Sequence, residues 1–302
     1  MGAPVVVLAG GTGGAKLARG MLDVAGEDLV VIANTGDDAE VHGGYVSPDP
    51  DLITFWLADA IDARGWGLRD DTFTVMEALR ALGEDVWFNL GDRDLAICLA
   101  RARRMAAGDR LTACADSLRQ AYGVRARVLP ASDDPVRTRV RAAGAWHDFQ
   151  AYMIEAGAPA PVEDVEFGGA AAAVPSPEVL AALRDARAVI VGPSNPVISI
   201  GPMLAIPGLR DALRETAAPV VAVSPLVRGE VLKGPTATFM AWAGWPLDAD
   251  GVAAAYEGLV DGLVADQRTD ALPVLETDVA MPDAGGRERL ARESLRFALA
   301  LG

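Results

Sequence analysis

Apolar residues in this chain cluster in short unbroken runs separated by polar turns. Val5 to Ala9, Leu29 to Ala33, Ala188 to Val191 and Pro219 to Val223 are such runs, rich in valine; Val86 to Leu90 and Arg125 to Pro130 also read as strands, though interrupted by Asn89 and by Arg127. A run of this length with no alternation is the pattern of a strand buried on both faces of a parallel sheet. Between the runs the spacing turns helical. Leu17, Met21 and Leu22 share a face, as do Leu52, Phe55, Trp56 and Ala60. Helices are also predicted over 74–82, 95–107, 112–122, 175–187, 237–243, 252–263 and 286–301, with a further strand over 273–276. Arg137 to Arg141, Trp146 to Tyr152 and Val162 to Phe167 read as short antiparallel strands. Buried strands alternating with helices, each strand ending in a Gly-, Asp- or Asn-rich loop, predict a doubly wound α/β sheet. One α/β domain over 1–302 is expected, with a small α+β insertion or lid near 124–170.

The first strand ends in Gly10-Gly11-Thr12-Gly13-Gly14-Ala15-Lys16. A glycine turn opening a helix lets a ligand approach the backbone, and the unpaired N–H groups of a helix N-terminus favour an anion. A phosphate loop is one reading; a plain strand-to-helix turn is the other. The Rossmann fingerprint fails at Lys16, where its third glycine belongs, and Lys16 is followed by Leu17 rather than the Ser or Thr of a P-loop. The turn therefore stands outside both common patterns.

The loop after the second strand gathers carboxylates: Asp37, Asp38, Asp49 and Asp51. Such a cluster raises its members' pKa values unless a cation neutralises it, and hard oxygen ligands beside a phosphate loop suit Mg²⁺. Turn formation and helix capping are the competing roles, capping above all for Asp51. Gly91-Asp92-Arg93-Asp94 either brings Arg93 to a phosphate or starts a helix with Asp92 as its cap. Gly192-Pro193-Ser194-Asn195-Pro196 is a stiff strand-end turn. Lys233-Gly234-Pro235 offers one more cation.

Charge and composition narrow the classes. Net charge is 27 − 42 = −15, which disfavours nonspecific binding to nucleic acid or acidic membranes. Cys98 and Cys114 have no metal spacing and fit a reducing compartment. The first strand begins at Val5, leaving no room for a signal peptide, and no apolar run nears the roughly 20 residues of a spanning helix. A cytoplasmic protein is expected. His42 and His147 are poor catalytic candidates, and no G-x-S-x-G elbow occurs.

In order along the chain, the Gly10–Lys16 turn, Asn34-Thr35-Gly36-Asp37-Asp38, Ser47-Pro48-Asp49-Pro50-Asp51, Gly65-Trp66-Gly67, Gly91-Asp92-Arg93-Asp94-Leu95-Ala96, Ser132-Asp133-Asp134-Pro135-Val136-Arg137-Thr138, Gly192-Pro193-Ser194-Asn195-Pro196 and Val223-Ser224-Pro225 resemble the 2-phospho-L-lactate transferase family of coenzyme F-420 biosynthesis. Two loops depart from that family's usual pattern: Pro50-Asp51-Leu52 replaces Leu-Asp-Thr, and Ile97-Cys98 replaces a pair including Thr-His. The resemblance implies a Rossmann-like fold, a homodimer and Mg²⁺ dependence. It implies transfer of a phospholactyl-type group, or an enolpyruvyl or phosphoglyceryl equivalent, from a guanosine diphosphate-linked donor to the ribityl hydroxyl of the deazaflavin Fo, with release of GMP. On that reading Gly10, Gly11, Thr12, Gly13, Gly14, Lys16, Asn34, Gly192, Ser194 and Asn195 hold the donor nucleotide. Asp37, Asp38, Asp49 and Asp51 supply the metal ligands, with Asp49 and Asp51 acting in catalysis. Asp51, Trp66, Asn89, Gly91, Asp92 and Arg93 face Fo. The related gluconeogenesis-factor proteins, which bind nucleotide sugars as regulators, are the alternative, and an NAD-dependent dehydrogenase is a third, weaker one.

Overall fold

The computed structural model describes residues 2–302. Seven strands form one sheet: β1 (Val5–Ala9), β2 (Leu29–Ala33), β3 (Arg127–Pro130), β4 (Ala188–Val191), β5 (Val220–Val223), β6 (Gly262–Ala265) and β7 (Val274–Glu276). They lie in the order β7-β6-β5-β4-β1-β2-β3, and every neighbouring pair is parallel. This is the Rossmann-like doubly wound order with one added edge strand. β1 pairs with β2 from Val5↔Leu29 to Ala9↔Ala33 and with β4 from Val5↔Ala188 to Leu8↔Val191.

The unbroken apolar runs are explained by helices on both faces. Because side chains alternate across a strand, Val6 and Leu8 enter one core with Val189, Val191 and Leu209, while Val5, Val7 and Ala9 enter the other with Leu17, Met21 and Leu290. α1 (Gly11–Ala25) covers the second core beside the last helix, Ala284–Leu301. Gly20 allows that approach, since a Cβ there would lie 2.3 Å from the Arg287 carbonyl oxygen. The insertion is a three-stranded antiparallel sheet, Ala145–Asp148 against Arg137–Ala142 against Val162–Gly168, with a short helix, Phe149–Ile154.

Three predicted elements differ. Val86 to Leu90 is irregular chain, paired with no strand among the described residues; Trp87 and Phe88 instead pack edge to face at 5.4 Å. The helix expected over 252–263 stops early. It runs Ala249–Ala255, the chain turns at Gly258 (φ +69°), and Gly262–Ala265 becomes β6. The run Trp146 to Tyr152 divides between a strand and the helix Phe149–Ile154. Among the described residues no helix is long and apolar enough to cross a membrane.

Gly20→Ala should lower the urea midpoint with unchanged slope. Overpacking against backbone costs about 1–3 kcal/mol, which outweighs the ~1 kcal/mol that alanine gains in a helix. A raised midpoint would show that α1 and the last helix do not cross this closely.

Candidate active site

The sheet reverses its direction of growth between β1 and β4, and the two strand ends meet there. α1 begins at Gly11 (φ +63°), directly after an extended Gly10. The expected loop is therefore one residue of turn, and Thr12 to Lys16 already lie on the helix. The Gly192–Asn195 turn crosses the first turn of α1 so closely that a Cβ on Gly13 would sit 2.0 Å from the Pro193 carbonyl oxygen. Ser194 clasps the two ends: its Oγ donates to the Gly10 carbonyl (2.7 Å) and accepts from the Gly10 N–H (3.3 Å). Gly14 and Gly192 pack against each other, while Asn195 accepts from the Val197 and Ile198 N–H groups.

A cavity of about 500 Å³ opens at this switch point, the place where open α/β sheets bind ligands. Gly10, Gly11, Thr12, Gly13 and Lys16 line one wall, and Ser194, Asn195 and Ser199 another. Lys233, Thr236 and Met281 contribute from later in the chain. Gly14, Gly192 and Asn34 are not among the lining residues.

The four aspartates divide into two pairs. Asp37 lines the cavity, and its Oδ1 is buried without a hydrogen-bond partner among the described residues. Burial, then the charges of Asp49 and Asp38, hold its carboxyl well above the usual range, against the Asn34 amide. Asp49 abuts the glycine turn: Oδ1 accepts from the Gly11 N–H (2.6 Å) and Oδ2 from Asn34 Nδ2 (2.9 Å). Burial pushes Asp49 up to about 6 despite those two bonds. An orphaned carboxylate oxygen beside a second raised carboxyl is a donor set that a hard divalent cation would satisfy.

Asp38 and Asp51 are already engaged. Asp38 accepts from Tyr45 OH (3.0 Å) and Ser47 Oγ (2.9 Å), and burial pushes it up to about 7 against Arg137 and those hydroxyls. Asp51 is not a cap. It lies inside α2 (Pro48–Leu57), its N–H bonded to the Ser47 carbonyl, and its carboxylate pairs with the buried Arg101 guanidinium. Arg101 also donates to the Tyr45 carbonyl (2.9 Å). Asp94 and Cys98 come within 4.8 Å of Asp51, but Arg101 supplies the positive charge of that group.

The residues expected to face Fo lie apart from the cavity lining. Two of them serve the helices α3 (Thr74–Ala81) and α4 (Asp92–Ala106). Asp92, rather than capping its own helix, accepts from Thr72 Oγ1 (2.6 Å) and the Thr74 and Val75 N–H groups at the start of α3. Asp71 does the reverse for α4, accepting from the Arg93 and Asp94 N–H groups. Gly91 admits the Asp71 carboxylate, which a Cβ would meet at 2.2 Å. Arg93 donates to the Arg69 carbonyl, and Asn89 accepts from Arg80 (2.9 Å). Trp66 is an exposed plate with the Arg64 guanidinium 4.3 Å from its ring centre.

Arg101, Tyr45, Asp71 and Arg137 hold this arrangement and were not among the expected residues. Arg101 had a signal: it follows Leu95 and Cys98 at helical spacing, placing a charge on a buried face.

Compared with known proteins, residues 5–288 match the family model described as 2-phospho-L-lactate transferase CofD. The chain is similar to a phosphoenolpyruvate transferase of Streptomyces griseus, 38% identical with 97% of this chain and 98% of the relative covered. It is equally similar to a 2-phospho-L-lactate transferase of Methanopyrus kandleri, 38% identical with 97% of each covered. A phosphoenolpyruvate transferase of Mycobacterium leprae is 40% identical over 76% of each. Among solved structures, a UPF0052-family protein of Bacillus halodurans superposes with a TM-score of 0.56 at 18% identity, covering 96% of this chain and 91% of its own, a likeness of fold.

The Asp51–Arg101 pair gives the site a stability test. Arg101→Met strands a buried carboxylate and should cost about 3–5 kcal/mol, read by urea unfolding. Adding Asp51→Asn should recover part of that loss; equal stability of the single variant and the parent would show that the pair carries none of the site's order.

Proposed function

The chain belongs to the 2-phospho-L-lactate transferase family, and on that premise we propose that it moves a phospholactyl-type group from a guanosine diphosphate-linked donor to the ribityl hydroxyl of the deazaflavin Fo, releasing GMP. One observation carries the reading. The orphaned Asp37 oxygen lines, with Lys16, a cavity walled by a glycine turn and helix N-terminus, and Asp49 is bonded to that turn from behind. That juxtaposes an anion-receptive wall with a carboxyl oxygen in want of a cation and a second raised carboxyl close to it.

Transfer requires the acceptor oxygen to bond the distal phosphorus while the bridging P–O bond breaks and GMP leaves with its electron pair. Mg²⁺, held by Asp37 and Asp49, would neutralise the oxygens of the transferring group. The chain's own part is positioning. The N-terminus of α1 and Lys16 take the diphosphate, Ser194 fixes the two strand ends against each other, and the Asp51–Arg101 pair anchors α2 so that Asp49 keeps its place. The acceptor approaches from the side of Trp66 and Arg93. Its hydroxyl proton would pass to a carboxylate of the acidic loop, with Asp49 and Asp51 the residues expected to act in catalysis.

Relatives named for different groups, a phosphoenolpyruvate transferase and a 2-phospho-L-lactate transferase, stand at equal identity. The reading therefore extends to any carboxylated three-carbon unit, and the test must try each. Incubation with Fo, Mg²⁺ and the lactyl, enolpyruvyl or glyceryl donor should give a mass gain on Fo with at least one. Asp37→Asn and Asp49→Asn should each lower the transfer rate by about 100-fold, the order of 2.7 kcal/mol, and raise the Mg²⁺ needed for half-maximal rate. No mass gain with any donor, alongside tight nucleotide binding, would favour the regulatory alternative.

A further inference from the structure

Of the 27 basic residues in the chain only two are lysines, Lys16 and Lys233. Both line the cavity at the switch point. Everywhere else the chain uses arginine. Neither lysine makes an ion pair among the described residues, although acidic groups outnumber basic ones by 42 to 27. Lys16 projects from the second turn of α1. Lys233 comes from the exposed chain after β5, just beyond the two-stranded hairpin of Leu226–Val227 and Glu230–Val231.

The cations also converge. The Lys16 ammonium is held below its usual range by burial, then by Arg287 and by Lys233, so both charges are near enough to act on it. Lys16 Nζ and the Arg287 guanidinium lie 5.9 Å and 5.3 Å from the ring centre of Trp56. An aromatic face at that distance stabilises a cation without neutralising it. Arg287 also acts on the Asp59 carboxylate, but Lys16 and Lys233 form no ion pair among the described residues, and a site with two such ammonium groups in its lining suits an anion.

The residue type says which anion. An ammonium is a compact charge with three rotatable donors, suited to oxygens shared with a metal ion or a backbone turn. A guanidinium forks onto one face and fills more space. In a chain that otherwise spends arginine, the two lysines sit where a phosphate held by the glycine turn must be met at close quarters. We propose that Lys16 and Lys233 close on a diphosphate from two walls of the cleft, so that Lys233 is a second phosphate contact outside the glycine turn. The proposal rests on the donor reading above for the identity of that diphosphate.

Reductive methylation of the full chain, mapped by mass spectrometry, tests this directly because only two side-chain amines can react. Saturating inorganic pyrophosphate, and separately GDP, should slow modification of both lysines by tenfold or more. Lys233→Met, a change on an exposed loop, should weaken pyrophosphate binding in calorimetry at least tenfold, with a smaller salt dependence than the parent. Protection of Lys16 alone, or unchanged affinity in Lys233→Met, overturns the clamp and leaves the donor reading intact. Protection of both by pyrophosphate with no binding of GDP sinks the donor reading and supports the clamp. Binding of neither ligand overturns both.

Discussion

The carboxylate of Asp49 is the point on which the site depends. One oxygen accepts the Gly11 N–H at the start of α1, and the other accepts the amide of Asn34, the residue after β2. A buried side chain at the head of α2 thereby ties together the ends of two neighbouring strands. Burying a carboxylate is expensive unless its lone pairs are occupied, and here each oxygen has one strong donor. The same contact explains the backbone around it. Gly11 adopts a positive φ and turns its N–H toward Asp49, and Gly10 leaves no side chain between the carboxylate and Ser199. Replace the carboxylate and three elements lose their common fastening.

With Asp49 fixed, the other aspartates are distinguished by what remains to satisfy them. Tyr45 and Ser47 occupy Asp38, and Arg101 occupies Asp51. Asp37 has a cavity in front of it and a lone oxygen without a donor. Four carboxylates close in sequence are thus not one tetradentate group. Asp38, Asp49 and Asp51 are engaged with their neighbours, and Asp37 alone of the four lines the cavity. Arg101 is what makes this division possible, because one guanidinium serves both the Asp51 carboxylate and the Tyr45 carbonyl and so links Asp38 and Asp51.

Most of the central sheet was legible from the chain, because strands buried on both faces leave an unmistakable run of apolar residues. β2 and β4 occupy the predicted positions, Leu29–Ala33 and Ala188–Val191. The misreadings share a cause. Val86 to Leu90 has strand composition but pairs with no strand among the described residues, and Val252 to Leu263 has helical spacing but a glycine at positive φ in the middle. Apolar composition reports burial, while pairing and backbone hand are decided by what lies alongside. For the site, the glycine turn and the acidic loop declared themselves, because both are chemically unusual. Arg101, Asp71 and the third wall of the cavity did not, because a side chain that braces a site from a distant helix looks like any other charged residue. Asp92 shows the converse: prominent in sequence, it caps the neighbouring α3 rather than its own helix.

The cavity is electrically polarised, and that polarity constrains what can occupy it. Its lining carries both signs of charge: Asp37, and Lys16 and Lys233, which make no ion pair among the described residues. A simple anion would satisfy the lysines and be repelled by the aspartates, and a simple cation would do the opposite. A polyanion carrying a bridging divalent cation satisfies both at once, because the metal turns the carboxyl end from repulsive to attractive. In a chain with a net charge of −15, the long-range field opposes an anionic ligand, so affinity must come from contacts made inside the cavity. On the proposed function, a diphosphate ester with its metal ion would meet these requirements, its negative charge facing the lysines and the cation facing the carboxyls.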